Sequence, residues 1–540
     1  MIQIVLTLLL LAFSASCQFF QKKPSFKKDK ELRLALPEDP TTLDPRKGGD
    51  AASATLHLIL FEGLMQLHQD GSLTPAQCTS VHISPDQKIY TFHLGKTVWS
   101  DGHPVTSYDF EKAWKMILSP SFPAPNAHLL YPILYAEEVK RGALPVEDVG
   151  ISAPDPFTLI VKLHSPTPYF LNLISFCVFA PIPSHKEDNS PDSAFHSGKQ
   201  FVCNGPFILS DWKHNNELHF KKNPLYRDIE QVKLESIHIS IIGSETTTFE
   251  LYEKGKLDLI GPPFSRIPLE SGIKTINNTE FLITPSAATT FITFNTTTFP
   301  FSNKNLRKAF SLAIQREVMV QNVTGVEESA AFCAVPPSLK NNQGAILYKE
   351  GQIEEAGRLF TLALEELQAS KKELEHSLIY LYAQGEINHK IAQVLQEQWL
   401  TLLDVHVQLA VADRATQIDL LSKKKHIFGQ ALYRAQYSDP INILERFKHK
   451  ENIKNYSSWE NKTFQSLLER SFQEFDSERM ATLQKAECVL LEETPITPLF
   501  HLNLCYLVKP YLKNIELSPS GGIFFERLSL QEEPLPCTSN

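Results

Sequence analysis

Apolar residues recur along this chain with two different periods, and each stretch shows which one it follows. In KIYTFHL, residues 88–94, Tyr90, Phe92 and Leu94 alternate with Thr91 and His93, as in a strand with one buried face. VHI precedes it across Ser84-Pro85-Asp86-Gln87, a turn sequence, so the pair predicts a hairpin. Phe110, Ala113, Trp114, Ile117 and Leu118 fall instead on one face of a helix. Thr106 predicts its N-cap with Asp109 at the capping-box position, and Ser119-Pro120 ends it.

The same reading extends along the chain. ELRLALPEDP, residues 31–40, predicts a short strand, and LHLILFEGLMQL, residues 56–67, an apolar helix broken at Gly63. Helices are predicted over 353–367, from near Asn305 (Leu306, Phe310, Ala313, Ile314), and over 389–403 with Ile391, Val394, Leu395, Trp399, Leu402 and Leu403 on one face. The last runs through Asp404 into VHVQLAV, where Val405, Val407, Leu409 and Val411 alternate. A helix joined tightly to a strand is the grammar of an α/β fold. No internal repeat of 20–50 residues emerges.

The stretch from Lys96 to Trp114 holds Ser100, Asp101, His103, Ser107 and Asp109, enough polar groups for a catalytic cluster. The helix pattern explains them more simply. Ser100-Asp101-Gly102 is a turn, Ser107 and Asp109 lie in a helical first turn where the dipole favours them, and His103 precedes Pro104 in the loop. The cluster is therefore read as scaffold.

Length and charge narrow the class. The 540 residues suffice for two or three domains. A net charge of −9 spread along the chain gives no basic stripe for nucleic acid. The opening MIQIVLTLLLLAFSAS is too short for a stable membrane span and reads as an export signal over residues 1–17, followed by a polar, lysine-rich linker over 18–32. Ala15-Ser16-Cys17 resembles a lipobox, with Ser14 where Leu is usual, so Cys17 is a candidate for lipidation; ordinary signal cleavage is the alternative. The seven other cysteines are scattered without a CxxC pair, and the 18 histidines are dispersed. Neither pattern predicts a metal site. GxxxxGK[ST], GxGxxG, GxSxG and HExxH are all absent. That moves the reading from catalysis toward binding, and no cofactor is expected.

An ordered series of segments then resembles one family. PEDPTTLDP, residues 37–45, is followed by LFEGLMQLHQDGSLTPAQCTS, PDQKIYTFHLGKTVWSDGHPVTSYDFEKAW, SPTPYFLNLISFCVFAPIP, NGPFILSDWKHNNELHFKKNPLY, YEKGKLDL, FNTTTFPFSNKNLRKAFSLAIQRE and YSDPINIL. In order and spacing these resemble the peptide-binding family of extracytoplasmic solute-binding proteins that serve ABC importers. The resemblance implies a two-lobed α/β periplasmic-binding-protein fold of the class II type, with a third subdomain and a ligand cleft between the lobes. Lobe I would use residues 33–60, 179–285 and 500–530, the extra subdomain 61–178 and lobe II 286–499.

It also implies an oligopeptide ligand, permease subunits in the membrane as partners, no enzymatic activity, and a monomer in the periplasm or anchored on the extracytoplasmic side. Ligand contacts would come from Gly48, Gly49, Asp50 and Ala51, and from Tyr433, Arg434, Ala435 and Gln436. Here the chain departs from the family, which usually carries Asp where Gln436 stands and Trp where Tyr433 stands. The peptide's amine would then lack its usual partner, unless Asp439 or Asp50 supplies the carboxylate. Two rival expectations follow: an amine-modified ligand such as a muropeptide or a chelate, and an exported hydrolase using Ser or Cys.

Overall fold

The computed structural model describes residues 30–186, 201–265, 267, 280–324, 327–339, 352–518 and 521–531. The predicted signal segment, most of the linker and Cys17 lie outside the described residues. Among the described residues three larger sheets organise the fold, beside two two-stranded ones. The first is four-stranded, in the order Glu31–Leu36, Ser236–Ile241, Glu217–Lys222, Phe207–Lys213. The second, also four-stranded, runs Cys78–Ile83, Ile89–Leu94, Thr158–Lys162, Ile151–Asp155.

The hairpin appears where the alternation placed it. Tyr90, Phe92 and Leu94 are buried, and Ile83 pairs with Tyr90 across the turn. The helix Ser107–Leu118 buries Phe110, Ala113, Trp114, Ile117 and Leu118, and its Trp114 Nε1 donates to the Phe179 carbonyl at 2.9 Å. Burying this apolar face holds the helix far more strongly than its intrinsic propensity does.

The third sheet has seven strands. Its order is Leu259–Ile260, Ile496–Val508, Phe281–Phe294, Phe428–Arg434, Ile379–Ala383, Gln408–Ala412, with Ser329–Ala330 also on Ile496–Val508. The two longest strands pair antiparallel, and their register shifts between Pro285 and Thr289. Such a bulge bends a strand and increases its twist. Ile379–Ala383 and Gln408–Ala412 pair parallel, with the helix Glu386–Leu403 between them in sequence, a βαβ crossover.

Three boundaries differ from the sequence reading. The apolar helix spans Ala51–Leu60: Asp50 caps it earlier than the apolar run begins, and it ends at the extended Phe61, before Gly63. The helix near Asn305 is Lys304–Leu312, capped by Asn303, and Ala313 and Ile314 are buried just past its end. The strand after Asp404 begins at Gln408, not at Val405. Asp404 adopts a left-handed conformation (φ 54°). Val405 and Val407 are buried in the connection, whereas Val411 is 60% exposed on the sheet's last strand. Alternation marked a buried connection and an edge as one strand. Among the described residues no helix is long and apolar enough to cross a membrane.

Candidate functional site

The loop 48–51 leads into the helix Ala51–Leu60, and residue order explains its shape. Asp44 and Arg46, both buried, pair through Nε–Oδ1 and Nη2–Oδ2 at 2.9 Å each. This clamp fixes the chain just before the loop. Gly48 lies against the His57 imidazole, where a Cβ would stand 2.5 Å from Cε1; only glycine fits there without displacement. Asp50 Oδ1 accepts from Ser53 N at 2.8 Å, and Oδ2 from Ser53 Oγ at 2.7 Å and Thr41 Oγ1 at 3.1 Å. Partial burial pushes this carboxyl up, but the hydrogen bonds outweigh it and its pKa falls below the ordinary value. Asp50 is thus exposed and ionised at the positive end of a helix.

The opposite wall is the end of the strand Phe428–Arg434 and the turn after it. Arg434, Ala435 and Gln436 face the same cavity as Gly48, Gly49, Asp50 and Ala51. Arg434 Nη1 donates to Ser286 Oγ at 2.7 Å. Burial, and to a lesser degree the charge of Arg414, draws its pKa down. Among the described residues no carboxylate pairs with it. Gln436 reaches across the cavity: its Nε2 donates to Asn126 Oδ1 at 3.2 Å, and its Oε1 lies 3.4 Å from His128 Nε2. Asn126 Nδ2 in turn donates to the Gly48 carbonyl at 2.8 Å. The two walls are therefore bridged through one asparagine. The free space is about 970 Å³, solvent at the mouth included. A second chamber of about 880 Å³ adjoins it and shares Ala54, Phe176, Cys177 and Gln436.

Seven of the eight residues singled out from the sequence thus line one cavity, and Tyr433 does not. Its side chain is buried, packs on Phe291 at 4.5 Å between ring centroids, carries the Arg446 guanidinium over its ring at 4.5 Å, and donates to the Lys454 carbonyl. Strand alternation is the reason: with Arg434 toward the cavity, residue 433 must point to the core. Asp439 is also unavailable to a ligand, because both its oxygens accept from Arg479 at 2.8 Å inside the protein.

The polar stretch 100–109 is used structurally. Asp109 Oδ2 accepts from Thr106 N and Trp99 Nε1, and Oδ1 from Ser184 N and Oγ. Ser107 Oγ donates to the Asp155 carbonyl at 2.5 Å. His103 is 58% exposed and stacks on His185. None of Ser100, Asp101, His103, Ser107 or Asp109 lines either chamber. Ser107→Ala should cost about 1–2 kcal/mol in urea unfolding, and neither it nor His103→Ala should change ligand affinity in calorimetry. A folded variant of either kind without affinity would place the ligand elsewhere.

Sequence reasoning missed the contact between Cys333 Sγ and His501 Nε2, 3.4 Å apart, with His501 Nδ1 at 2.9 Å from Thr289 Oγ1. It has the outline of a nucleophile and its base. Both residues are buried, however, and burial raises the thiol well above its usual value and lowers the imidazole to about 4. A neutral thiol beside a neutral ring, lining neither chamber, is packing rather than catalysis.

Lobes of mixed α/β structure around a cleft between two loop segments define a ligand-binding protein of the two-lobed periplasmic type. Residues 72–455 match the description of the bacterial extracellular solute-binding proteins, family 5, and the chain belongs to that family. The oligopeptide-binding protein OppA of Bacillus subtilis (strain 168) is 32% identical over 500 residues, covering 92% of this chain and 91% of that protein. Among solved structures, the murein tripeptide binding protein MppA in its unliganded open form superposes with a TM-score of 0.80 at 25% identity, over 93% of this chain and 98% of that one. Haemophilus influenzae OppA in complex with the peptide RPPGFSPFR gives 0.74 at 25% identity, over 94% and 100%. The family is one of solute-binding proteins, and this chain is a binding protein, not an enzyme.

Proposed function

We propose that the chain captures oligopeptides in the cleft between residues 48–51 and 434–436 and delivers them to the permease subunits of an ABC importer. The observation that carries this reading is the cavity itself, which residues 48–51 line on one side and residues 434–436 on the other, in a protein of this family. An extended peptide carries unpaired backbone groups, and pairing them with exposed main chain gives affinity without reading side chains. Side chains can lie in wet space, since a bridging water is nearly as good as a direct bond. Closure of the lobes then presents the loaded shape to the transporter. We place lobe I in residues 33–60, 179–285 and 500–530, the extra subdomain in 61–178 and lobe II in 286–499. The bulge at Pro285–Thr289 supports a bend near one of those crossings.

The charges of the cleft refine the ligand. Asp50 is the carboxylate available to an ammonium, and Arg434 the guanidinium available to an acid group. Gln436 is neutral and bonded to Asn126. A second reading, a ligand modified at its amine and rich in acid groups such as a muropeptide, is favoured by the same unpaired Arg434 and by the likeness to the murein tripeptide binding protein. Mass spectrometry of ligand carried through native purification separates the two, and a peptide incubated with the protein should return uncut.

Gln436→Asp should raise the affinity ratio of free-amine to acetylated peptides by roughly tenfold, if the new pair gains about 1.5 kcal/mol net. Arg434→Ala should weaken acidic ligands most. Calorimetry with matched peptides measures both. An unchanged ratio in Gln436→Asp would mean that another carboxylate, Asp50 first, already holds the amine.

A further inference from the structure

The outer face of the first sheet places two imidazoles and a carboxylate together, although nothing in the sequence grouped them. Glu217 and His219 stand two residues apart on the strand Glu217–Lys222, so both project from one face. His238, on the adjacent antiparallel strand Ser236–Ile241, lies directly opposite His219 in the register. The alternate residues Leu218, Phe220, Ile237 and Ile239 are buried in the core on the other face. Both strands are internal to the four-stranded sheet. The three side chains therefore stand on backbone held from both sides.

We propose that Glu217, His219 and His238 form a site for one divalent transition-metal ion of the zinc, nickel or copper class, separate from the ligand cleft. Glu217 Oε2 lies 3.3 Å from His219 Nε2 and 3.1 Å from His238 Nε2, and one ligand atom from each residue lies within 4.8 Å of the others. Bonds of about 2.0–2.1 Å at tetrahedral angles put ligand atoms about 3.3 Å apart. The two nitrogen–oxygen distances already match that spacing. The imidazole rings lie parallel to within 12° at 4.2 Å between centroids, so one ring must turn about its χ2 to aim both Nε2 lone pairs at one ion.

Imidazole with carboxylate suits borderline cations better than calcium or magnesium. The side chains are 21–33% exposed, which gives an ion access. Lys213 bonds the other oxygen, Oε1, at 2.5 Å, and Asp211 lies 3.8 Å from the same Lys213 Nζ. Lys213 opposes the cation but leaves Oε2 toward the histidines, and at 56% exposure it is free to swing away.

A second group, Asp101, His103 and His185, also brings three such atoms together. Asp101 there is shared with Lys186 at 3.6 Å, and the three residues sit on a loop and a single 3-10 turn, Ser184–Lys186, rather than on paired strands. The strand site is the better organised, and the loop group serves as the internal control.

Zinc titration of the full chain by calorimetry, kept reduced so that its thiols do not crosslink, tests the site. One equivalent should bind. His219→Ala and His238→Ala should each weaken it at least tenfold, Glu217→Gln less, and His103→Ala not at all. The cobalt-loaded protein should show no thiolate-to-metal charge-transfer band, which distinguishes this site from any cysteine site. Peptide affinity and unfolding midpoint should be unchanged in every variant. Absence of zinc binding, or one equivalent that survives both His219→Ala and His238→Ala, overturns the proposal.

Discussion

Arg479→Met should destabilise the protein by about 3–5 kcal/mol, the cost of leaving a buried carboxylate without its partner. Arg479 Nη1 and Nη2 donate to Asp439 Oδ2 and Oδ1 at 2.8 Å each, and the two side chains are only 6% and 9% exposed. The pair is tied into its surroundings. Asp439 Oδ1 also caps the Ile441 N–H at 2.9 Å. The guanidinium lies over the Tyr169 ring at 5.7 Å, and Tyr169 stacks on Tyr437 at 5.1 Å. Tyr437 follows Gln436, so this small core fixes the turn that carries one wall of the cleft.

Burial alone would lower the Arg479 pKa, but Asp439 overcomes it and the net direction is upward. Removing the arginine strands the acid; removing both charges does not. Asp439→Asn with Arg479→Met should therefore be less destabilised than the sum of the single variants. Urea unfolding of the four proteins gives the coupling. A loss below about 1 kcal/mol in Arg479→Met would mean that water reaches Asp439.

How much of this was legible beforehand depends on how local each determinant is. The hairpin and the helix Ser107–Leu118 were, because alternation at Tyr90, Phe92 and Leu94 and the i, i+3, i+4 set from Phe110 are local consequences of burial. The scaffold role of Asp109 was readable from Thr106, three residues away. The strand after Asp404 was misjudged because alternation alone does not separate an apolar connection from an edge strand.

The two cleft segments were named by resemblance, which does not say where each side chain points, and Tyr433 packs into the core. A segment can be placed on a binding wall while one of its side chains points the other way. The rest is long-range. The Asp439–Arg479 pair, the Asn126 bridge between Gly48 and Gln436, the Cys333–His501 contact and the His219–His238 pair each join distant segments. No spacing rule reaches that far in a single chain.

Acid should unfold this protein earlier than its carboxylates alone would require. His57, His426 and His501 are buried, and their imidazoles are held down to about 4. Burial is the main cause in all three. At His57 it outweighs the attraction of Asp44 and Asp50, and at His426 the Lys424 charge adds to it. The unfolded chain, with histidines near 6.5, takes up three protons that the folded one refuses until about pH 4. The stability is therefore complete above about pH 6.5 and is lost as pH falls toward 4. Each histidine contributes up to about 3 kcal/mol over that range, before any local relaxation.

Two groups work the other way. Burial raises the Glu445 carboxyl, and it raises that of Glu526 to about 7, so the folded state binds the Glu526 proton first and gains stability as pH falls toward the carboxylate's ordinary value. Glu526 offsets about one of the three histidines, and the net fall should still be several kcal/mol between pH 6.5 and 4. The urea midpoint measured across that interval should drop steadily with little change above pH 7. His426→Leu should flatten the slope, since it removes one refused proton without touching either wall of the cleft. His57 is the more consequential site, because its ring backs Gly48 at 2.5 Å from a would-be Cβ. Charging it should loosen the loop 48–51, so ligand affinity should fall with pH before the global transition. Calorimetry at pH 7 and pH 4, with far-UV circular dichroism confirming that the protein is still folded at pH 4, reads this directly on a peptide without titrating side chains. Equal affinities at the two pH values would mean that the loop tolerates an imidazolium behind it.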